Sequence, residues 1–236
     1  ATATTSAFSG TITDAAGNAV VASGFNNVNP TGTLAVDTAA PTATLTAASI
    51  PNTSSVTVQS TETGTAYLVN SSVTVTNLAS ITGAASNLRA SASITTANSN
   101  TSLSPTGLVD GTYRLYTVDA AGNLSAASTN SVTIDSTAPT VSSIAYGTND
   151  GNLAAGESVT LTVTFSEAVN VTGTPTIALN SGGSASYTSG SGSNQLTFTY
   201  TPAATQSTSD LATATTSAFS GTITDAAGNA VVASGF

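Results

Sequence analysis

The chain has 236 residues, of which 39% are hydrophobic and only 6% charged, and eleven carboxylates against two cations, Arg89 and Arg114, leave a net charge of −9. Such a balance argues against a phosphate backbone or an anionic membrane surface as partner. With no His, Cys or Lys in the chain, a Ser-His-Asp triad, a cysteine nucleophile, a His-based zinc site, a disulfide and a Lys–Asn isopeptide cross-link are all excluded.

In chain order, the first signal is ATATTSAFSGTITDAAGNAVVASGF at 1–25, which returns unchanged at 212–236, an offset of 212 − 1 = 211 residues. That is too long for a solenoid unit of roughly 20–50 residues and suits two domains of roughly 100 residues each. Identity over 25 positions reads as recent copying. The sequence is therefore expected to be a window onto a tandem array, with residues 1–37 the C-terminal strands of a preceding domain. Within that stretch GTLAVD (32–37) reads as a final strand.

The next signal is VDTAAPT (36–42), matched by IDSTAPT (134–140), whose Asp residues lie 135 − 37 = 98 apart. Pro41 and Pro139 fix φ and extend the residue before them, so each string is expected to be a short, stiff linker. Domain A then covers 38–135 and domain B 136–236. In domain A the strings SVTVQST (55–61), SVTVTNL (72–78), TYRLYTVD (112–119) and NSVTID (130–135) alternate in polarity. SVTLTVTFS (158–166), TPTIALN (174–180) and QLTFTYT (195–201) do the same in domain B. Alternation in segments rich in Val, Thr, Ile, Tyr and Phe predicts an all-β fold of antiparallel sandwiches, each strand burying one face. NLASITGAASNLRASAS (77–93) is rich in Ser, Thr and Gly and is read as a loop with a strand rather than a helix. No stretch approaches the ~18 apolar residues of a membrane span, so no membrane insertion is expected within this segment. Domain B stops before its counterpart of GTLAVD and is expected to lack its final strand, which residues 26–37 of a neighbouring copy would supply.

DAAGN recurs at 14–18, 119–123 and 225–229. Two readings stand. An Asp that opens a turn accepts backbone N–H groups while Gly supplies positive φ. The same carboxylates can also ligate calcium, which takes six to eight hard oxygens. Loops of a sandwich gather at its ends, so Asp119 is expected to approach Asp135 at the A–B joint, and Asp14 to approach Asp37 at the preceding one. Asp150 in YGTNDGN (146–152), Glu157 in AGES (155–158) and Glu167 in FSEAV (165–169) are further candidate ligands at the start of domain B. The spacing is not that of an EF-hand loop.

Taken together, DSTAPT, YTVDAAGN and the series SVTLTVTFSEAVNVTGTPTIAL…ASYTSGSGSNQLTFTY…GTITDAAGNAV resemble the bacterial Ig-like repeats of giant secreted adhesins and cell-surface proteins. The resemblance covers essentially the whole period and is strongest in domain B. It implies Ig-like sandwiches strung end to end, an extracellular place on the bacterial cell surface, and calcium at the domain joints. It falls on the linker residues Asp37 and Asp135 and on Asp14, Asp119 and Asp225. Domain A departs from the pattern between 79 and 105, and Glu62 and Asp110 receive no assignment.

A two-carboxylate glycosidase needs only paired Asp or Glu, but sugar clefts rely on aromatic platforms and Trp is absent. The chain is thus read as a non-enzymatic structural repeat, a calcium-rigidified spacer or stalk of a large adhesin. The alternative is a self-assembling extracellular filament, sheath or surface-layer subunit. The partners expected are neighbouring repeats of the same chain or head-to-tail copies, with no nucleic acid.

Overall fold

The computed structural model describes residues 12–19, 34–149, 151–214 and 219–232. The chain divides into two units, Ala1–Thr38 and Ala39–Phe236. In the first, Thr13 bridges Ala19 antiparallel across the DAAGN turn. The strand expected at GTLAVD is not formed over its described residues, 34–37. Leu34 is 90% and Val36 86% exposed: alternating polarity makes a strand only where a neighbouring strand supplies hydrogen bonds and a face to cover.

The second unit is nearly all β, and its strands fall into two runs. The first run contains β1 (Ala43–Leu45), β2 (Ala48–Ile50), β3 (Val56–Ser60), β4 (Gly64–Asn70), β5 (Arg89–Ile94), β6 (Thr101–Leu103), β7 (Gly111–Asp119) and β8 (Val132–Ile134). They form a three-stranded sheet, β1-β3-β6, and a five-stranded sheet, β2-β8-β7-β4-β5. Leu45, Val58 and Leu103 from the first sheet and Leu68, Leu115 and Ile134 from the second share one buried cluster. The two sheets thus face each other in a sandwich-like arrangement. β3 alternates buried and exposed residues, which gives its sheet one apolar face. Pairing is antiparallel except between β2 and β8, which run parallel.

Three local features depart from the expectations. SVTVTNL is not a strand, because Asn70 ends β4 in a turn: its carbonyl accepts from the Val73 N–H at 3.0 Å and its side chain from the Ser72 N–H at 2.9 Å. The strand lies just upstream, in GTAYLVN, where burial does not alternate strictly because the consecutive residues Leu68 and Val69, which point to opposite faces, are both buried. A short helix α1 (Leu78–Thr82) also forms inside 77–93. Asn77 and Ser80 cap each other reciprocally at its start, satisfying otherwise orphaned N–H groups, and the fully buried Ile81 anchors it. Among the described residues no helix is long and apolar enough to cross a membrane.

The second run contains β9 (Val141–Tyr146), β10 (Val159–Ala178), β11 (Ser184–Ser189), β12 (Ser193–Tyr200) and β13 (Phe219–Thr224). The strings expected as separate strands at 158–166 and 174–180 are one strand, the 20-residue β10, which pairs with all four others. Its register with β12 shifts between Thr164 and Val169. Such an irregularity bends a strand and re-aims its side chains, and FSEAV lies inside it. A separate cluster, with Phe198 stacked on Phe219 at 5.9 Å between centroids, forms the core of this run.

Gly64 explains how β4 and β7 close together where β7 runs into DAAGN. It lies opposite Asp119 with φ +152°, and a Cβ there would meet the Val118 carbonyl oxygen at 2.0 Å. Gly64→Ala is therefore expected to destabilise the chain by about 2 kcal/mol or more, read as a lower midpoint in urea. An unchanged midpoint would mean that β4 shifts freely there.

Candidate metal centre

The two runs of strands meet at IDSTAPT. β8 ends at Ile134, so Asp135 opens the linker, and its N–H donates to the Ile50 carbonyl at 3.0 Å. Pro139 is buried, and its carbonyl accepts from the Val232 N–H at 2.9 Å. Thr140 donates its N–H to Ser166 Oγ at 3.0 Å, and Ser166 returns its own N–H to the Thr140 carbonyl at 2.9 Å. Ser166 and Glu167 occupy the register shift of β10, so the bulge brings Glu167 to the linker. β13 ends at Thr224, and the next residue, Asp225, opens the DAAGN turn at the same place. One carboxylate oxygen each from Asp135, Glu167 and Asp225 lies within 4.8 Å of the other two. Asp225 is 3% exposed, and the other two are half-buried.

Asn229 ties this group together. Its N–H donates to Asp225 Oδ1 at 2.8 Å, and its side-chain amide donates to Asp225 Oδ2 at 2.7 Å and to the Asp135 carbonyl at 2.9 Å. The other two DAAGN turns repeat the inner part of this pattern. Asn123 donates its N–H and its amide to the two oxygens of Asp119, both at 2.8 Å, and Asn18 does so to Asp14, both at 2.9 Å. The Asp residue is therefore a turn former in all three copies, as such Asx-type bonding dictates. A carboxylate oxygen keeps lone pairs after accepting one bond, so the turn role leaves a ligand role open.

The expected meeting of Asp119 and Asp135 does not occur. β8 runs antiparallel to β7 with Ile134 opposite Gly111, so Asp135 lies at the start of β7 and Asp119 at its end, about 26 Å away along the strand. Asp119 instead comes within 4.8 Å of Glu62, a residue the sequence left unassigned. Asp14 and Asp37 are both exposed, and Asp14 joins no group of three close carboxylates among the described residues. Glu157 is not at the linker either: it closes its own turn, with Oε2 accepting from the Ala154 N–H at 2.8 Å. It precedes β10, roughly 30 Å of extended strand from Glu167. Asp150 lies outside the described residues. Sequence reasoning missed Asn229 and Asp110. Asp110 holds the linker from the opposite side, accepting from the Ser136 N–H at 2.9 Å and the Thr137 hydroxyl at 2.8 Å. The recurring Asn of DAAGN was the available signal for Asn229, whereas nothing in sequence distinguishes Asp110.

Burial, and then the charges of Asp135 and Asp225, hold the Glu167 carboxyl above its ordinary range. Both cations are engaged elsewhere, Arg89 on the Ala84 carbonyl and Arg114 on those of Ser128 and Thr129. The cluster therefore needs either protonation or a cation from solution to offset its repulsion. Its donors are all hard oxygens, which suit an ion such as calcium rather than zinc or copper. Elsewhere, a cleft of about 330 Å³ is lined by Tyr146, Tyr200, Gln206 and hydroxyl-bearing residues, with Asp210 its one carboxylate among the described residues.

Burial of Asp119 works to raise its pKa, but hydrogen bonds from the Asn123 side chain and from the Asn123, Gly122 and Ala121 N–H groups outweigh it and lower it overall. The two carboxyls therefore act in opposite senses. The folded chain binds the Glu167 proton more tightly than the unfolded chain, so without metal stability rises as pH falls through that raised value. The Asp119 contribution is complete above the ordinary carboxylate range and is lost as pH falls through its lowered value. In chelator the melting temperature is expected to peak at mildly acidic pH, and Glu167→Gln to remove the decline toward neutrality. A profile already flat between mildly acidic and neutral pH would show that the carboxylates do not repel. The chain matches no protein-family model, no curated protein and no solved structure, so the chemistry of this site is read from its own residues.

Proposed function

We propose that the chain is a non-enzymatic repeat module of a large bacterial surface or secreted adhesin, a spacer of Ig-like sandwiches stiffened by calcium at its joints. The observation that carries this reading is the Asp135, Glu167 and Asp225 group, drawn together at a linker that hydrogen bonds already hold on several sides. A cation there would bridge the linker, β10 and the turn after β13, and so convert a hinge into a fixed joint. Three carboxylates contribute at least three of the six to eight oxygens that calcium takes. The rest of the molecule fits a spacer: a chain with 6% charged residues and a surface rich in Thr, Ser, Asn and Gly offers little for unwanted association. A self-assembling filament or surface layer is the second reading, favoured by the exposure of Leu34 and Val36.

A ligand that binds only the folded state stabilises it by about 2.7 kcal/mol at 100 times its dissociation constant. Calcium is expected to raise the melting temperature of the chain, and Asp225→Asn or Asp135→Ala to remove most of that rise. Differential scanning calorimetry with calcium and with chelator measures both effects. Identical curves in the two conditions would leave the three carboxylates as residues that only shape the linker.

A further inference from the structure

The cleft of about 330 Å³ forms where the ends of β9 and β12 meet the segment 206–211. That volume falls within the roughly 300–1,000 Å³ of small-molecule sites. Its charge is one-sided. Neither Arg89 nor Arg114 lines it, and Asp210 is its one carboxylate among the described residues. In a chain of net charge −9, such a cleft disfavours phosphates and carboxylates as ligands.

Three of its side chains are set for a ligand by bonds the chain already makes. Tyr146 is 46% exposed, and its hydroxyl donates to the Leu211 carbonyl. With its polar end engaged, what it offers the cleft is a ring, whose negative face attracts weakly positive C–H groups. Gln206 Oε1 accepts from the Ala203 N–H at 3.0 Å and from the Tyr200 hydroxyl at 3.1 Å. The orientation of the amide is thereby fixed. Its NH2 group keeps two donors and has no protein partner among the described residues. Gly183 makes room for this pair, since a Cβ there would meet Gln206 Oε1 and Tyr200 Cε2, both at 2.7 Å.

Asp210 is exposed, but the backbone that carries it is held in place. Asn180 donates its amide to the Asp210 carbonyl at 2.8 Å and accepts from the Ala212 N–H at 3.0 Å. The Asp210 carboxylate itself makes no hydrogen bond among the described residues. Burial, and then the Asp210 charge, hold the Tyr146 hydroxyl above its ordinary range, which places the carboxylate beside the ring.

A ring face, an amide with free donors and an unpaired acceptor thus line one cleft. A pyranose presents the complement: a face of C–H groups and a rim of hydroxyls that both donate and accept. We propose that this cleft binds a neutral pyranose sugar, its C–H face on Tyr146 and its hydroxyls donating to Asp210 and accepting from Gln206 Nε2. Such a site goes beyond the spacer reading, lies within the second run of strands and needs no cation.

The test is saturation-transfer NMR on the full chain with the methyl glycosides of glucose, galactose, mannose and N-acetylglucosamine, each at millimolar concentration. Chelator is present throughout, so that failure of the calcium reading stays separate from failure of this one. At least one glycoside is expected to receive transfer, strongest at the ring protons of one face. Tyr146→Ala is expected to raise its Kd at least about tenfold, and Tyr146→Phe, which keeps the ring, to retain binding. Asp210→Ala is expected to weaken binding with an unchanged melting temperature, since its carboxylate holds no part of the fold. No transfer to any of the four glycosides overturns the proposal. So does an affinity that is unchanged in either alanine variant once its fold is verified by its melting curve.

Discussion

Three carboxylates held within 4.8 Å of one another at a linker set the constraint on which the rest of this chain turns. Like charges that close repel, and no arginine of the chain attends them. Their approach is therefore imposed by the surrounding backbone. Asp135 follows a strand whose Val132 and Ile134 are fully buried, Glu167 sits where β10 breaks register, and Asp225 follows a strand paired along the second half of β10. Each ladder is stabilised by its own core, and the cores deliver the three side chains to one point. A hard cation at that point would turn an electrostatic burden into a clamp.

Asn229 is the small device that makes the geometry reproducible. A neutral amide with two donors can serve the turn carboxylate and the linker carbonyl together, and it does so without adding charge. This suits a chain that has almost no cations to place. The same five residues build the same turn three times, and only the surroundings differ: at Asp225 they include the linker and Glu167, at Asp119 they include Glu62. Turn formation and metal binding are thus not competing explanations of DAAGN. The first positions the carboxylate, and the second is a use to which that position lends itself.

Much of the β architecture was legible in residue order alone. Alternation located β3, β7, β8 and β12 because each buries one face, and a period of two is the direct consequence. It failed at β4, whose inward residues do not alternate, and at α1, whose reciprocal Asn77–Ser80 cap and buried Ile81 outweigh poor helix formers. It also divided β10 in two, since a bulge interrupts the pattern without ending the strand. For the candidate site, composition and recurrence singled out Asp135, Glu167 and Asp225 as residues of interest. They could not say which loop reaches which end of a sandwich, and so Asp135 was matched with Asp119. That choice belongs to strand direction: β8 returns antiparallel to β7, which carries Asp135 a full strand length from Asp119, while the bulge in β10 and the arrival of β13 bring Glu167 and Asp225 to it instead. Local pattern determines which residues can pair or bind, and only the long-range ladder decides which of them meet.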